Sequence, residues 1–191
     1  MLKTCPKSSH SGFSLVELMI AIAVLGVILS IAAPSFRNMI LNTRVRNAAE
    51  SVLNGLQRAR AVAISNNTNI LFTISPDSSW NIDYTAAYKL ANPAVTSPIE
   101  VKVANEGTKD VVVNSKANDG VSAASVVTFD NLGRRVAGAQ LAEINFSTIG
   151  GTRPLRVIIG VQIPAGVGNP YIGSSPKMCD PHIMPPNPLG C

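Results

Sequence analysis

Three residues near the C-terminus have side chains that could act together chemically. Cys179, His182 and Cys191 are of the types that bind zinc, but zinc sites usually have a fourth ligand and closely spaced cysteine pairs. A Cys179–Cys191 disulfide needs no further partner and would stabilise the Pro- and Gly-rich tail, residues 164–191, by roughly 3 kcal/mol. This tail has little periodic structure. The disulfide is therefore the main expectation, and metal binding is the alternative.

Glu17 is informative because it stands at the head of an uncharged run from Leu18 to Phe36. A run of this length is close to what crosses a bilayer as a helix. An ionisable side chain at its head is costly unless it finds a partner. A secretory signal peptide is the usual competitor, but its small-residue cleavage site would fall around residues 30–33, directly before Pro34. The pattern therefore favours a transmembrane helix.

The segment Gly12-Phe13-Ser14-Leu15-Val16-Glu17 resembles the class III signal of type IV prepilins and type II secretion pseudopilins. The shared features are a short basic leader, glycine before phenylalanine, glutamate as the fifth residue from Phe13, an uninterrupted apolar helix and Pro34. The resemblance implies that a prepilin peptidase removes residues 1–12, cutting after the glycine, and methylates Phe13. It also implies that Glu17 neutralises the N-terminal ammonium of a neighbouring subunit during filament assembly.

The leader also bears on orientation and on the cysteines. Residues 1–16 contain two lysines, Lys3 and Lys7, and no acidic residue. By the positive-inside rule this predicts a cytoplasmic N-terminus and an exported C-terminal part. The resemblance implies a single pass through the bacterial inner membrane, with its lipid as a partner, a periplasmic head and a later place in the pilus filament or at its tip. Cleavage would remove Cys5 and leave an even pair in a compartment that permits disulfides.

Beyond Pro34 the apolar residues recur every three or four positions, which predicts an amphipathic continuation of the helix over residues 37–66 that ends at Ser65-Asn66-Asn67. Short alternating segments then predict strands. These are Asn69–Ser75, Trp80–Tyr84, Ile99–Val103, Val111–Val113, Val126–Phe129, Ile144–Phe146 and Leu155–Val161.

Together these elements predict an α+β fold. A long N-terminal transmembrane-to-amphipathic α-helix is expected to pack on an antiparallel β-sheet head. The expected organisation of the chain is a leader at 1–12, a transmembrane or filament-core helix at 13–36, its amphipathic continuation at 37–66, and a β-rich head with a disulfide-closed tail at 67–191.

Scattered segments of the head resemble the GspH/FimT family, which groups the H-type minor pseudopilins of type II secretion with the FimT and FimU minor pilins. They are Leu56–Ala63, Phe129–Arg134, Leu155–Ile159 and the stretch from Met178 to Cys191. The resemblance implies a minor pilin that associates with other minor and major pilins and helps to initiate or cap a pilus, with motility, adhesion or DNA uptake downstream. A type II secretion pseudopilin is the alternative, and the disulfide-closed tail favours the pilus.

Basic residues in the C-terminal part raise a third possibility, because the formal net charge is +5 and FimT-type minor pilins can bind DNA through such arginines. The candidates are Arg134, Arg135, Arg153, Arg156 and Lys177. No Arg or Lys lies between Cys179 and Cys191, so solvated arginines, with Arg134 fixing a turn, are the stronger interpretation.

Catalysis is not expected. After removal of the leader the chain would keep a single histidine, His182, in the tail, and no nucleophile motif or P-loop is found. We therefore expect no catalytic residues, no cofactor and no small-molecule substrate.

Overall fold

The computed structural model describes residues 14–105, 107–138, 140–162, 171–183, 187 and 189–191. Gly12 and Phe13, and with them the expected cleavage site, lie outside the described residues. The chain divides into two compact units, Met1–Arg37 and Asn38–Cys191, and each is described by itself.

Helix α1 extends from Leu15 to Ser65 and contains Pro34. Its start is capped by Ser14, whose Oγ accepts a hydrogen bond of 3.2 Å from the backbone N–H of Glu17. In the first unit every described side chain is exposed, and nearly all of them are apolar. This stretch is long and apolar enough to cross a membrane.

In the second unit α1 is amphipathic, as its sequence predicted. The buried residues lie three or four positions apart and form one stripe. They are Leu41, Val45, Ala48, Ala49, Val52, Gly55, Leu56, Ala59, Val62 and Ala63. The helix ends where Asn67 adopts a left-handed φ of 48°, a conformation that asparagine tolerates better than most residues, and the Thr68 N–H bonds back to the Ala63 carbonyl at 3.2 Å.

Strands β1–β8 follow within the described part of the chain. Their bounds are β1 Ile70–Ile74, β2 Trp80–Tyr84, β3 Glu100–Lys102, β4 Val111–Ala117, β5 Val126–Phe129, β6 Leu141–Thr148, β7 Leu155–Gln162 and β8 Tyr171–Cys179, with a short helix α2 at Ala86–Ala91. They form two four-stranded antiparallel sheets, of order β3-β2-β1-β5 and β4-β6-β7-β8. We call these the first and second sheets.

The stripe of α1 is the centre of the main core. Phe72 and Trp80 pack against it from the first sheet with their ring centroids 5.6 Å apart, and Ile144, Phe146 and Val157 pack against it from the second. Because α1 buries apolar side chains of both sheets, it is the central element of the core of the head.

The predicted α+β class with antiparallel strands is confirmed, but the described strands of the head form two sheets rather than one. Alternation shows that one face of a strand is buried without showing which strands pair. Strand β8 was missed because Gly173, the two following serines and Pro176 hide its pattern. Pro176 is tolerated there because β8 lies at the edge of its sheet. Helix α2 was also missed; it is six residues long and capped by Thr85.

Gly55 permits the closest approach of α1 to the first sheet, since a β-carbon there would lie 2.9 Å from ring atoms of both Phe72 and Trp80. We expect Gly55→Ala to lower the free energy of unfolding by about 1–2 kcal/mol. Overpacking that displaces two rings should cost about 2–3 kcal/mol, and the better helix propensity of alanine should offset about 1 kcal/mol of that cost. Urea unfolding in detergent micelles, followed through the single tryptophan, measures the difference.

The matched control is Asn54→Ala, at the neighbouring exposed position, which should change stability little. Equal or greater stability of Gly55→Ala would show that the rings move aside at no cost, and would contradict the packing argument.

Candidate functional site

The exposed apolar half of α1 is the first candidate site. Glu17 lies in its first turn, and from residue 14 to residue 36 no other side chain is charged. A contiguous apolar surface of this size marks a site that lipid or protein covers. The helix therefore offers one long apolar surface with a single carboxylate at its start.

The C-terminal tail is the second candidate site. Cys179, the last residue of β8, forms a disulfide with Cys191, and their Cα atoms are 5.2 Å apart. Cys179 packs with Ala142 and Ile158 in a small cluster of its own. Ile158 alternates with Val157 and Ile159 of the main core, so this cluster lies on the opposite face of the second sheet.

The bond distinguishes between the two interpretations of the cysteines, which were disulfide formation and metal binding. Both thiols are consumed in the bond, so they cannot supply the thiolates that zinc requires. His182 is exposed, and its Nδ1 lies 3.8 Å from Asp180 Oδ1. The tail closes on itself through the Asp180 N–H, which donates to the Leu189 carbonyl at 2.7 Å.

A polar cluster lies next to the disulfide on the outer face of the second sheet. Glu143 is only 4% exposed, and its Oε1 is 3.3 Å from Arg156 Nε. Asn145 connects the two: its amide donates to Glu143 at 2.6 Å and its carbonyl accepts from Arg156 at 2.7 Å. Arg156 also stands opposite Cys179 in the β7–β8 pairing. This arginine is therefore held by a buried carboxylate.

Glu143 and Asn145 were missed by the sequence analysis, although a signal for them exists. Both alternate with apolar residues in β6, and the pairing Asn145↔Arg156 follows from a short hairpin between β6 and β7. A search for opposite charges across that hairpin would have found the pair.

Arg134 fixes a turn, as expected. Asp130 accepts hydrogen bonds from the backbone N–H of Leu132 at 2.9 Å and of Arg134 at 2.8 Å, and from Arg134 Nε at 3.0 Å. Burial opposes ionisation of Asp130, but these bonds outweigh it and hold the pKa of Asp130 below its usual value. Gly133, with a φ of +72°, completes the turn and lies against Ile64 and Arg60 of α1.

The remaining cations differ in their surroundings. Arg135 is half-buried, donates to the Ile159 carbonyl at 3.4 Å, and burial lowers the pKa of its guanidinium. The side chains of Arg153 and Lys177 are exposed. Lys177 stands opposite Ile158, on the outer face of the second sheet.

The five basic candidates do not form one patch. The turn of Arg134 lies against α1 near position 60, whereas the backbone N–H of Arg153 bonds to Asn42 Oδ1 at 3.2 Å. At 1.5 Å per residue, about 27 Å of helix separates positions 42 and 60. A single ligand contacting all five side chains would have to span that distance.

Comparison with known families identifies the chain. Residues 7–33 match the prokaryotic N-terminal methylation motif, and residues 48–162 match the family described as type II transport protein GspH. The second match covers more than half of the chain. The chain belongs to the GspH family of type IV pilin-like proteins. The resemblance stated from the sequence is thus confirmed.

Relatives of this GspH family member include pilus subunits. It is 29% identical over 113 residues to a fimbrial protein of Pseudomonas aeruginosa, with 59% of this chain and 72% of the relative covered. It is 26% identical over 126 residues to the type IV major alpha-pilin of Moraxella bovis, with 63% and 79% covered. The crystal structure of the P. aeruginosa type IV minor pilin FimU matches with 19% identity, a TM-score of 0.37, and 59% and 80% covered.

The two matches cover different parts of the chain. Residues 15–33 of the methylation-motif match lie in the exposed apolar half of α1, and the GspH match begins inside α1 and ends with β7. Strand β8 and the disulfide-closed tail follow that match. The family is one of structural pilins rather than enzymes, and its members assemble with other pilins after processing by prepilin peptidase.

The pair between Arg156 and Glu143 should contribute to stability. We expect Arg156→Met to lower the free energy of unfolding by about 1–3 kcal/mol, because a carboxylate that is nearly fully buried loses its charged partner. Urea unfolding with the disulfide intact measures the effect.

Arg153→Met is the matched control, since this exposed arginine should change stability by no more than about 0.5 kcal/mol. Equal losses in the two variants would mean that the buried pair adds nothing.

Proposed function

We propose that the chain is a minor pilin subunit of a type IV pilus that helps to initiate or cap pilus assembly. It is made as a prepilin with a leader at residues 1–12, cut after Gly12 by prepilin peptidase and methylated at Phe13. Helix residues 13–36 hold it in the bacterial inner membrane, with the N-terminus cytoplasmic and the head periplasmic, until it joins other minor and major pilins in the filament or at its tip.

The observation that carries this proposal is the uncovered apolar half of α1 combined with the methylation motif at residues 7–33. Such a surface is stable only in lipid or among other apolar helices. A helix that is first membrane-bound and later packed in a filament meets both conditions.

Glu17 would then control the entry of the subunit into the filament. In a low-dielectric helix bundle a lone carboxylate and a lone ammonium each cost several kcal/mol, roughly, and pairing removes most of that cost. The N-terminal amine of Phe13 in a neighbouring subunit would supply the positive charge. The pair therefore penalises misplaced subunits more than it adds stability. Pro34, the second residue that we assign to filament assembly, lies farther along the same helix.

Two lines of support favour a pilus over a type II secretion machine. The relatives at 23–29% identity carry fimbrial or type IV pilin names, and the tail beyond the GspH match is closed by a disulfide. The family description itself supports the alternative, a minor pseudopilin of type II protein secretion.

A DNA-binding minor pilin for natural transformation is the weaker alternative. Arg134 and Arg156 are paired with acids, and Arg135 is half-buried. The exposed cations Arg153 and Lys177 would be left to contact phosphates. A filter-binding assay of the purified protein at two salt concentrations would detect such contacts.

Processing gives the first test. Gly12→Glu should block cleavage, because prepilin peptidase cuts after the glycine in the motif that this chain matches, so the full precursor should accumulate. Intact-mass measurement of protein from a strain containing the peptidase distinguishes the two forms. The wild type should begin at methylated Phe13, and a mature chain beginning elsewhere would end the proposal.

Assembly gives the second test. Glu17→Ala should leave cleavage intact but reduce the amount of the protein in sheared pili at least about tenfold, the factor that corresponds to about 1.4 kcal/mol of lost pairing. Glu17→Asp, which keeps the charge, should restore part of it. Immunoblots of sheared pili and of membranes measure both.

Normal recovery of Glu17→Ala in pili would contradict the charge-pairing account. Deletion of the gene separates the two machines: loss of surface pili with normal protein secretion supports the minor pilin. Loss of secretion with normal pili would assign the chain to the secretion machine.

A further inference from the structure

Between the apolar half of α1 and the main core, the second unit begins with a small surface whose role the proposed function does not explain. It consists of residues 38–42 of α1 and the β6–β7 turn at residues 149–153, which we call the collar. We propose that the collar is a membrane-contact site that inserts an apolar side chain among anionic lipid headgroups before the subunit enters the filament.

The turn is fastened to the helix by one side chain. Asn42 Oδ1 accepts hydrogen bonds of 3.2 Å from the backbone N–H groups of Thr152 and Arg153, and its amide donates to Thr152 Oγ1 at 3.2 Å. Gly150, with a φ of +84°, lies against Leu41. The backbone of the turn therefore has a defined position on α1.

This fixed turn carries an apolar side chain into solvent. Ile149 is 87% exposed, and Met39 on the helix is 67% exposed. A fully solvated isoleucine on an ordered turn gains nothing from folding in water, whereas an apolar side chain at the level of the headgroups is favourable.

The charge of the collar suits anionic lipid. Arg153 is the one charged residue of the collar, and Arg37 directly precedes residue 38, where the collar begins. Ile149 also borders a shallow hollow lined by Asp77, Lys109 and Asp110. Asp110 is ion-paired with Arg44 at 3.0 Å, so these flanking charges cancel and Arg153 determines the sign.

Chain connectivity keeps the collar near the bilayer. The uncharged run ends at Phe36. From Phe36 to Asn42 the chain spans at most about 20 Å when fully extended, and about 9 Å as helix. A cation that close to an anionic leaflet lies within about one or two Debye lengths of it. The lipid contact of the collar rests on the proposed membrane span and extends the membrane-facing surface into the head.

The test uses the full chain reconstituted in vesicles that contain phosphatidylglycerol, with phosphatidylcholine vesicles as the uncharged comparison. A fluorophore on Ile149→Cys, in a Cys5→Ser background with the tail disulfide intact, reports contact with lipids brominated just below the headgroup. We expect quenching in the anionic vesicles, and less in the uncharged ones.

Leu90→Cys is the matched control, because Leu90 is 86% exposed and lies on α2. That helix adjoins Tyr84, whose hydroxyl accepts a hydrogen bond from Asn66, the residue that follows the C-terminal end of α1. A label at Leu25→Cys in the proposed span reports insertion and should be quenched by deeply brominated lipid.

Two variants address the mechanism. Arg153→Gln should shift the ratio of inserted to free turn about fivefold, the factor that one arginine near an anionic surface contributes, whereas Lys177→Gln should leave it unchanged. Asn42→Ala should release the turn and lower the quenching at position 149 toward that at position 90.

Equal quenching at positions 149 and 90 in anionic vesicles, with the span label quenched, overturns the collar proposal and leaves the proposed function standing. Protection of position 149 only in sheared filaments also overturns it, and assigns the surface to a neighbouring subunit. An unquenched label at position 25 overturns both proposals. Quenching at position 149 together with normal pili in a deletion strain overturns the pilus assignment alone.

Discussion

The head depends on one constraint: the buried stripe of α1 must meet two sheets at once. Small residues make this possible, since Ala48, Ala49, Ala59 and Ala63 are fully buried and Gly55 lets Phe72 and Trp80 approach the helix axis. The loops are then fastened along the same helix. Asn42 holds the β6–β7 turn, and Ile64 and Arg60 support the turn at Gly133. A displacement of α1 would therefore disturb both sheets and both turns.

The sequence predicted the parts of this arrangement that depend on periodicity alone. The 3.6-residue pattern of α1 and the alternation of β1, β2 and β5 specify which face is buried, and those elements lie where they were expected. Sheet partition depends on contacts between distant segments, which a local pattern does not contain. Strand β8 illustrates the limit: it is held by pairing with β7 although its own residues have weak strand preference.

The charges, too, could be predicted from the sequence only in part. Composition correctly indicated an excess of arginine, but the availability of each guanidinium depends on neighbours that are distant in sequence. Arg156 is held by Glu143 across a hairpin, Arg134 by its own turn, and Arg153 projects from a turn whose backbone is bonded to α1. The leader motif needs no such information, because a peptidase reads a short contiguous segment. For this reason the prediction of processing is more specific than any prediction about the head.

The tail adds a covering that the main core does not require. The second sheet buries Val157 and Ile159 against α1, and its other face would leave Ala142 and Ile158 in water without Cys179 and Cys191. Strand β8 is held by its pairing with β7, and the disulfide fixes the end of the Pro-rich tail to the last residue of that strand, a cross-link that also limits the unfolded chain. The disulfide lies beside the Glu143–Arg156 pair. It therefore helps to keep water from the apolar outer face, and this makes the stability of that face depend on an oxidising environment.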